Sequence, residues 1–244
     1  MKIIIANWKM NPGSLVEARR LAIQIEQGLL GTDRSRGQVV ICPPFVYLHS
    51  IGPILHFASL GAQDAAAEKE GAFTGEISPG MLAGLGVEYV IIGHSERRAL
   101  GESDQLINQK LKTALANKLR AILCVGHGTK KGASGKLVER IIRRQIQEDL
   151  RGVKYKQGNL VIVYEPVWAI GTNTPPTLRH ACQTISYLKS LLPKIRVLYG
   201  GSIDGKNVFG FAKEKIIDGG LVGGASLNPP GFLKIIEAFS SLNS

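Results

Sequence analysis

Apolar residues along the chain follow two alternating rhythms. Short runs rich in β-branched residues, at Lys2–Asn7, Gln38–Cys42, Ser59–Gln63, Tyr89–Gly93, Arg120–Val125, Asn159–Glu165, Ile195–Tyr199 and Ile216–Val222, read as strands. Several are apolar throughout, as in Ile3-Ile4-Ile5 and Leu160-Val161-Ile162-Val163. A strand covered on both faces needs that pattern, whereas a one-sided antiparallel sheet would alternate. Between these runs the period changes to 3.6. Leu15, Ala18, Leu21, Ala22, Ile25 and Leu29 form one stripe opposite Glu17, Arg20, Gln24 and Gln27; Leu137 to Leu150 and Phe232 to Phe239 repeat the pattern. Proline and side-chain acceptors mark helix entries at Ser14, Ser78-Pro79, Ser103, Thr177 and Pro229-Pro230.

Strand starts recur about every 30 residues, the length of one strand–helix unit. Eight strands with intervening helices fit either a closed (β/α)8 barrel or an open doubly wound sheet. Nothing resembling a linker divides residues 1–244, and strand signals run evenly to the end. The pattern therefore favours a single (β/α)8 barrel domain spanning 1–244, with its ligand site at the C-terminal ends of the strands.

Composition narrows the class. Apolar types make up 44% of the chain and charged types 20%, and 29 glycines with 11 prolines predict many tight connections. No apolar run approaches a membrane span, and Met1 to Ala6 is too short for a secretory core. The three cysteines, Cys42, Cys124 and Cys182, are odd in number and lack metal-ligand spacing, so neither a disulfide framework nor a metal site is expected. Free thiols fit a reducing compartment, and a soluble cytoplasmic protein is predicted. The net charge of +11 attracts anions, whether nucleic acid, membrane surface or a phosphorylated small molecule. The basic residues read as scattered, with the densest pairs (Arg19-Arg20, Lys130-Lys131, Arg143-Arg144) in amphipathic or loop segments. That reading predicts a solvated surface with no nucleic-acid or membrane partner.

The barrel rule requires chemically capable residues just after the strands, and they are there. The first strand ends in Asn7-Trp8-Lys9, the fourth in Gly93-His94-Ser95-Glu96-Arg97 and the sixth in Glu165-Pro166. The seventh and eighth lead into glycine-rich turns, Gly200-Gly201-Ser202 and Gly223-Gly224-Ala225-Ser226, where backbone N–H groups can cradle a phosphate. A cation, an imidazole and a carboxylate facing an anion grip describe a phosphosugar site. Gly200 to Lys206 reproduces P-loop glycine and lysine spacing, but Asn207 stands where a Ser or Thr would hold Mg²⁺. No GxGxxG opens a helix after the first strand, so no dinucleotide or other cofactor is expected.

Six segments carry a specific resemblance: Asn7-Trp8-Lys9-Met10-Asn11, Gly71 to Ser78, Gly93 to Arg98, Tyr164 to Thr172, Tyr199 to Ser202 and Leu221 to Leu227. In order and spacing, over essentially the whole chain, they resemble the triosephosphate isomerase family. The resemblance implies a (β/α)8 barrel that interconverts dihydroxyacetone phosphate and D-glyceraldehyde 3-phosphate, commonly a homodimer serving glycolysis and gluconeogenesis. By resemblance Glu165 is the catalytic base and His94 the electrophile that donates to the substrate carbonyl oxygen. Lys9 supplies a fixed positive charge, Asn7 orients oxygens and Glu96 is a supporting carboxylate. Pro166 to Thr172 corresponds to a lid whose Gly171 N–H reaches the phosphate, with Ser202, Gly223 and Gly224 completing the grip. The Phe73-Thr74-Gly75 loop corresponds to the segment that inserts into a partner subunit near its Asn11.

The chain departs from the family pattern in places. Asn173-Thr174-Pro175-Pro176 replaces a glycine-lysine-threonine hinge, and two prolines stiffen it. His127 stands where glutamate is usual and Asp64 where asparagine is common. Lys118 and Ala121 replace a helix-ending glycine and a strand-entry proline.

Overall fold

The computed structural model describes residues 2–30, 37–169 and 177–241. Eight parallel strands close into a barrel in sequence order: β1 (Lys2–Asn7), β2 (Gly37–Cys42), β3 (Ser59–Ala62), β4 (Tyr89–Ile92), β5 (Arg120–Val125), β6 (Leu160–Tyr164), β7 (Arg196–Tyr199) and β8 (Gly219–Val222). Helices α1 (Leu15–Gly28), α2 (Leu48–Ile51), α3 (Pro79–Gly84), α4 (Ser95–Ala99), α5 (Asp104–Ala116), α6 (Gly135–Asp149), α7 (Leu178–Leu191), α8 (Val208–Lys213) and α9 (Pro229–Ser241) occupy the connections. The closed barrel, not the open sheet, is the architecture.

The fully apolar strands are explained by two separate cores. Ile3, Ile5, Val40, Ile91, Val161 and Leu198 belong to the cluster of twelve buried residues that fills the barrel. Twelve is the number needed for three layers of four inward side chains. Their alternates, among them Ile4, Ala6, Ile41, Ile92 and Ile162, face the apolar stripes of the helices. Four anticipated helix entries are caps in fact. Ser14, Ser78, Ser103 and Thr177 each accept the backbone N–H three residues on, at 3.2–3.3 Å.

The expected strands agree with the observed ones to within one residue at each end, except β8. It begins at Gly219 rather than Ile216, because residues 214–217 form a turn in which Ile217 N–H bonds Glu214 O. Asp218 then spends its polar groups on closure: its carboxylate accepts from Val197 N–H at 2.8 Å and its carbonyl from Ile3 N–H at 3.0 Å. Gly219 lies opposite Ile3 at φ +144, a conformation L side chains avoid, and a Cβ there would overlap the Ile3 backbone. The last ladder can form only with glycine at that position. Among the described residues, no helix is long and apolar enough to cross a membrane.

Candidate active site

Those predicted residues that are described lie at or after the C-terminal ends of the strands, at one mouth of the barrel. Asn7 ends β1, and its Oδ1 accepts the Lys9 N–H at 3.1 Å. Lys9 adopts a left-handed backbone, φ 53, which a non-glycine residue holds only when its surroundings fix it. Gln63, just past β3, provides the second fastening: its Nε2 donates to Lys9 O at 2.8 Å and to Cys42 O at 2.9 Å. The Lys9 ammonium is thereby aimed at Glu96, with Nζ and Oε1 2.5 Å apart. Its stem passes Gly223, where an added Cβ would lie 3.4 Å from Lys9 Cε. Lys9 thus borders both the acid–base residues and the glycine turn after β8.

His94 caps α4 and is 5% exposed; its Nδ1 accepts the Glu96 N–H at 3.3 Å. Glu165, 1% exposed, follows β6, and its Oε2 accepts the Ser95 N–H at 2.8 Å. Its Oε1 lies 3.0 Å from His94 Nε2, yet makes no aligned hydrogen bond among the described residues. A buried carboxylate oxygen without a hydrogen bond is costly to maintain, and such groups concentrate where chemistry uses them. Room for this side chain comes from Gly200, where a Cβ would stand 3.1 Å from Glu165 Cγ and 2.5 Å from Val163 Cγ1.

Burial is the largest influence on the His94 pKa and lowers it, but the Glu165 charge, with Glu96 behind it, outweighs burial and the net direction is upward. A second proton would have to sit on Nδ1, which already accepts a backbone N–H. That donor cannot withdraw, so we assign the neutral ring with its hydrogen on Nε2.

On the opposite side, Gly224 opens a short 3-10 turn ending at Leu227, and Ser226 fastens it through N–H and Oγ bonds to Gly223 O, at 2.8 and 2.7 Å. Space around the missing Gly224 side chain is open to 4 Å. Ser202 is half-buried in the turn after β7, and its carbonyl accepts from Asn207 Nδ2 at 3.1 Å. Gly171 and the Asn173 to Pro176 hinge lie outside the described residues. The Phe73-Thr74-Gly75 loop is exposed and bonded to itself, Glu76 N–H to Phe73 O at 3.0 Å. Among the described residues, no cluster of His, Cys, Asp and Glu has metal-binding geometry.

Two supporting residues escaped the sequence reading. Gln63 is one. Arg98 is the other: buried under the site, it donates to Gly93 O at 2.9 Å and Cys124 O at 3.1 Å, and pairs with Asp104 and Asp149 at 2.6 Å each. The signal available was position, since each lies near a strand end, and for Arg98 its place at the end of the resembling segment Gly93 to Arg98. Asp64, one of the departures, sets both oxygens 2.8 Å from Lys110 Nζ and one 2.9 Å from Arg97. His127 leaves Nδ1 buried without a hydrogen bond among the described residues, and burial lowers its pKa.

Fold and site together define a class: a (β/α)8-barrel enzyme whose C-terminal mouth holds a lysine, an imidazole and a buried carboxylate beside a glycine-rich turn. The family profile described as Triosephosphate isomerase matches residues 2–239. Relatives bearing that name include proteins of Aquifex aeolicus (42% identical, covering 98% of this chain and 99% of the relative), Carboxydothermus hydrogenoformans (42%, 96% and 97%) and Trichodesmium erythraeum (43%, 96% and 98%). The chain belongs to the triosephosphate isomerase family.

Proposed function

We propose that this chain interconverts dihydroxyacetone phosphate and D-glyceraldehyde 3-phosphate by intramolecular proton transfer through an enediolate, a step of glycolysis and gluconeogenesis. Family membership gives the reaction; one observation carries the assignment of roles. Glu165 Oε1 is buried and stands 3.0 Å from the His94 imidazole. Glu165 removes a proton from one substrate carbon and returns it to the neighbouring carbon. His94 donates from Nε2 to the oxygen on which charge develops. Lys9 offsets that charge, Asn7 fixes the Lys9 backbone and orients substrate oxygens, and Glu96 positions the Lys9 ammonium. Ser202, Gly223 and Gly224, with Gly171, hold the phosphate. The chemistry needs no redox or metal cofactor, because the hydrogen lost from one carbon returns to its neighbour.

A homodimer joined through Phe73-Thr74-Gly75 accounts for a group of exposed apolar residues on the connections after β1, β2 and β3. Met10 is 93% exposed, Val46 79% and Phe73 46%. The free thiols of Cys42, Cys124 and Cys182 favour a cytoplasmic location. The test of function is a coupled assay on glyceraldehyde 3-phosphate with no added cofactor for the isomerase, repeated with Glu165→Gln. The substitution is expected to lower kcat by about 10²–10⁴-fold, the range for a positioned acid–base group. Glutamine can still accept the Ser95 N–H, so Tm should hold. Retained turnover would remove Glu165 from its role as base.

A further inference from the structure

The excess positive charge is not scattered, as the sequence reading expected. Residues 105–158 contain 13 of the 30 Lys and Arg but 3 of the 19 Asp and Glu, an excess of ten out of eleven for the whole chain. Eleven of those 13 cations are exposed. The three carboxylates do little to neutralise them. Asp149 is buried against Arg98, Glu148 pairs with Arg151 at 2.5 Å, and Glu139 has no ion pair among the described residues.

Helix α6 organises this charge. Val138, Ile142 and Ile146 face inward, which leaves Lys136, Arg140 and Arg144 on the outer side at four-residue steps, about 6 Å apart along the axis. Beside them Arg143 lies over the Tyr187 ring, 5.8 Å from its centroid, and its Nε donates to Tyr187 Oη at 2.7 Å. Helix α7 carries no carboxylate. Between the two helices runs an open groove of about 780 Å³ lined by Lys136, Ser134, Gln183, Ser186 and Tyr187, with Glu139 its one acidic residue. The cyclic strand order places β5 and β6 across the barrel from β1 and β2, so this face points away from the exposed Met10, Val46 and Phe73.

We propose that the α6–α7 face docks the phosphate backbone of a single-stranded nucleic acid, without base specificity. A row of cations beside hydroxyl and amide donors is the donor set that phosphates use. The half-buried Tyr187, stacked by Arg143, offers an aromatic surface to an unpaired base. A membrane fits poorly, because the large apolar side chains exposed on residues 105–158 are Leu137 and Tyr155, at 36% and 37%, and neither stands out far enough to insert. The proposal is independent of the isomerase reading, and either can fail alone.

The test is fluorescence anisotropy of a labelled oligo(dT) of roughly 20 nucleotides with the full chain, titrated from about 50 to 200 mM salt. Binding should weaken steeply with salt. The triple variant Lys136→Gln, Arg140→Gln, Arg144→Gln should bind at least tenfold more weakly at the low-salt end, with its log–log salt slope shallower by about 2, the value for three lost phosphate contacts. The charge-matched variant Lys213→Gln, Lys215→Gln, Lys234→Gln should keep its affinity, and both should keep wild-type Tm and isomerase rate. Absence of binding at low salt would overturn the proposal, as would equal weakening by the two triples. Binding of phosphatidylserine vesicles, but not oligonucleotide, through the α6 residues would reassign the face to a membrane.

Discussion

Replacing Gln63 by leucine is expected to disable Lys9 while leaving every proposed reacting group in place. The amide supplies two hydrogen bonds, to Lys9 O at 2.8 Å and Cys42 O at 2.9 Å, and leucine leaves both carbonyls without it. Each bond contributes about 0.5–1.5 kcal/mol net, so global stability should fall by about 1–3 kcal/mol. At this chain length that is a Tm loss of about 2–12 °C. The functional effect has a different origin. Lys9 sits at φ 53, which costs about 1–2 kcal/mol relative to a right-handed backbone. That strain is opposed by the Asn7 bond to its N–H, the Gln63 bond to its O and the pairing of Nζ with Glu96. Losing the roughly 0.5–1.5 kcal/mol of the bond to Lys9 O shifts the balance from the held to the relaxed backbone by about 2–12-fold, and kcat/KM should fall by more than twofold and by at most about that factor, KM rising as the ammonium leaves its place. The coupled isomerase assay, run well below each variant's Tm, reads the effect. Glu26→Ala is the control, because Glu26 accepts the N–H groups of His56, Phe57 and Ala58 at 2.8–2.9 Å, far from the mouth. It should lower stability by about 3–5 kcal/mol with kcat/KM unchanged. If Gln63→Leu lowers Tm but leaves kcat/KM within twofold, the fastening of Lys9 is not what Gln63 does.

Other expectations follow from the same geometry. In Glu165→Gln the His94 pKa should fall, since the largest upward influence is removed while burial and Lys9 still press it down; an unchanged imidazole titration by ¹⁵N NMR would contradict the pairing. Gly219→Ala should prevent barrel closure, seen as loss of soluble folded protein, because its Cβ overlaps the Ile3 backbone. Gly224→Ala meets open space and should change stability by less than about 0.5 kcal/mol while raising KM; an unchanged KM would place the phosphate elsewhere.

What the sequence made legible follows from how each feature is written in it. Short β-branched, largely apolar runs exposed the strands and 3.6-period stripes the long helices, and Ser14, Ser78, Ser103 and Thr177 were readable because a cap needs only local partners. The start of β8 was not, since Ile216 and Ile217 look like strand residues until the bond from Ile217 N–H to Glu214 O turns the chain. Gln63 bonds the carbonyls of Lys9 and Cys42, and Arg98 that of Cys124, all distant in the chain, and a carbonyl leaves no mark on sequence. The concentration of charge in residues 105–158 was written in the sequence but invisible to a search for dense runs, because α6 spaces its cations by turns.

The division of labour at the mouth resolves into one short element. Strands β4 and β6 are separated by β5, so their backbones lie about 10 Å apart and only long side chains can meet. Gly126 follows β5 between them at φ +116, where a Cβ would stand 3.0 Å from the Glu165 carbonyl carbon. Across that gap the first residues of α4 hold three partners at once. Ser95 N–H fixes one Glu165 oxygen, Glu96 N–H fixes the imidazole through Nδ1, and the Glu96 carboxylate fixes Lys9. Because the Ser95 bond is taken at Oε2, the other Glu165 oxygen is the one that stands beside Nε2, 3.0 Å away. Because Nδ1 is occupied, the ring must present its hydrogen at Nε2. Consecutive N–H groups therefore set both the oxygen available for the proposed proton abstraction and the ring nitrogen available to donate. The resemblance named Glu96 a supporting residue. In the structure its main-chain N–H bonds His94 Nδ1 while its carboxylate pairs with Lys9.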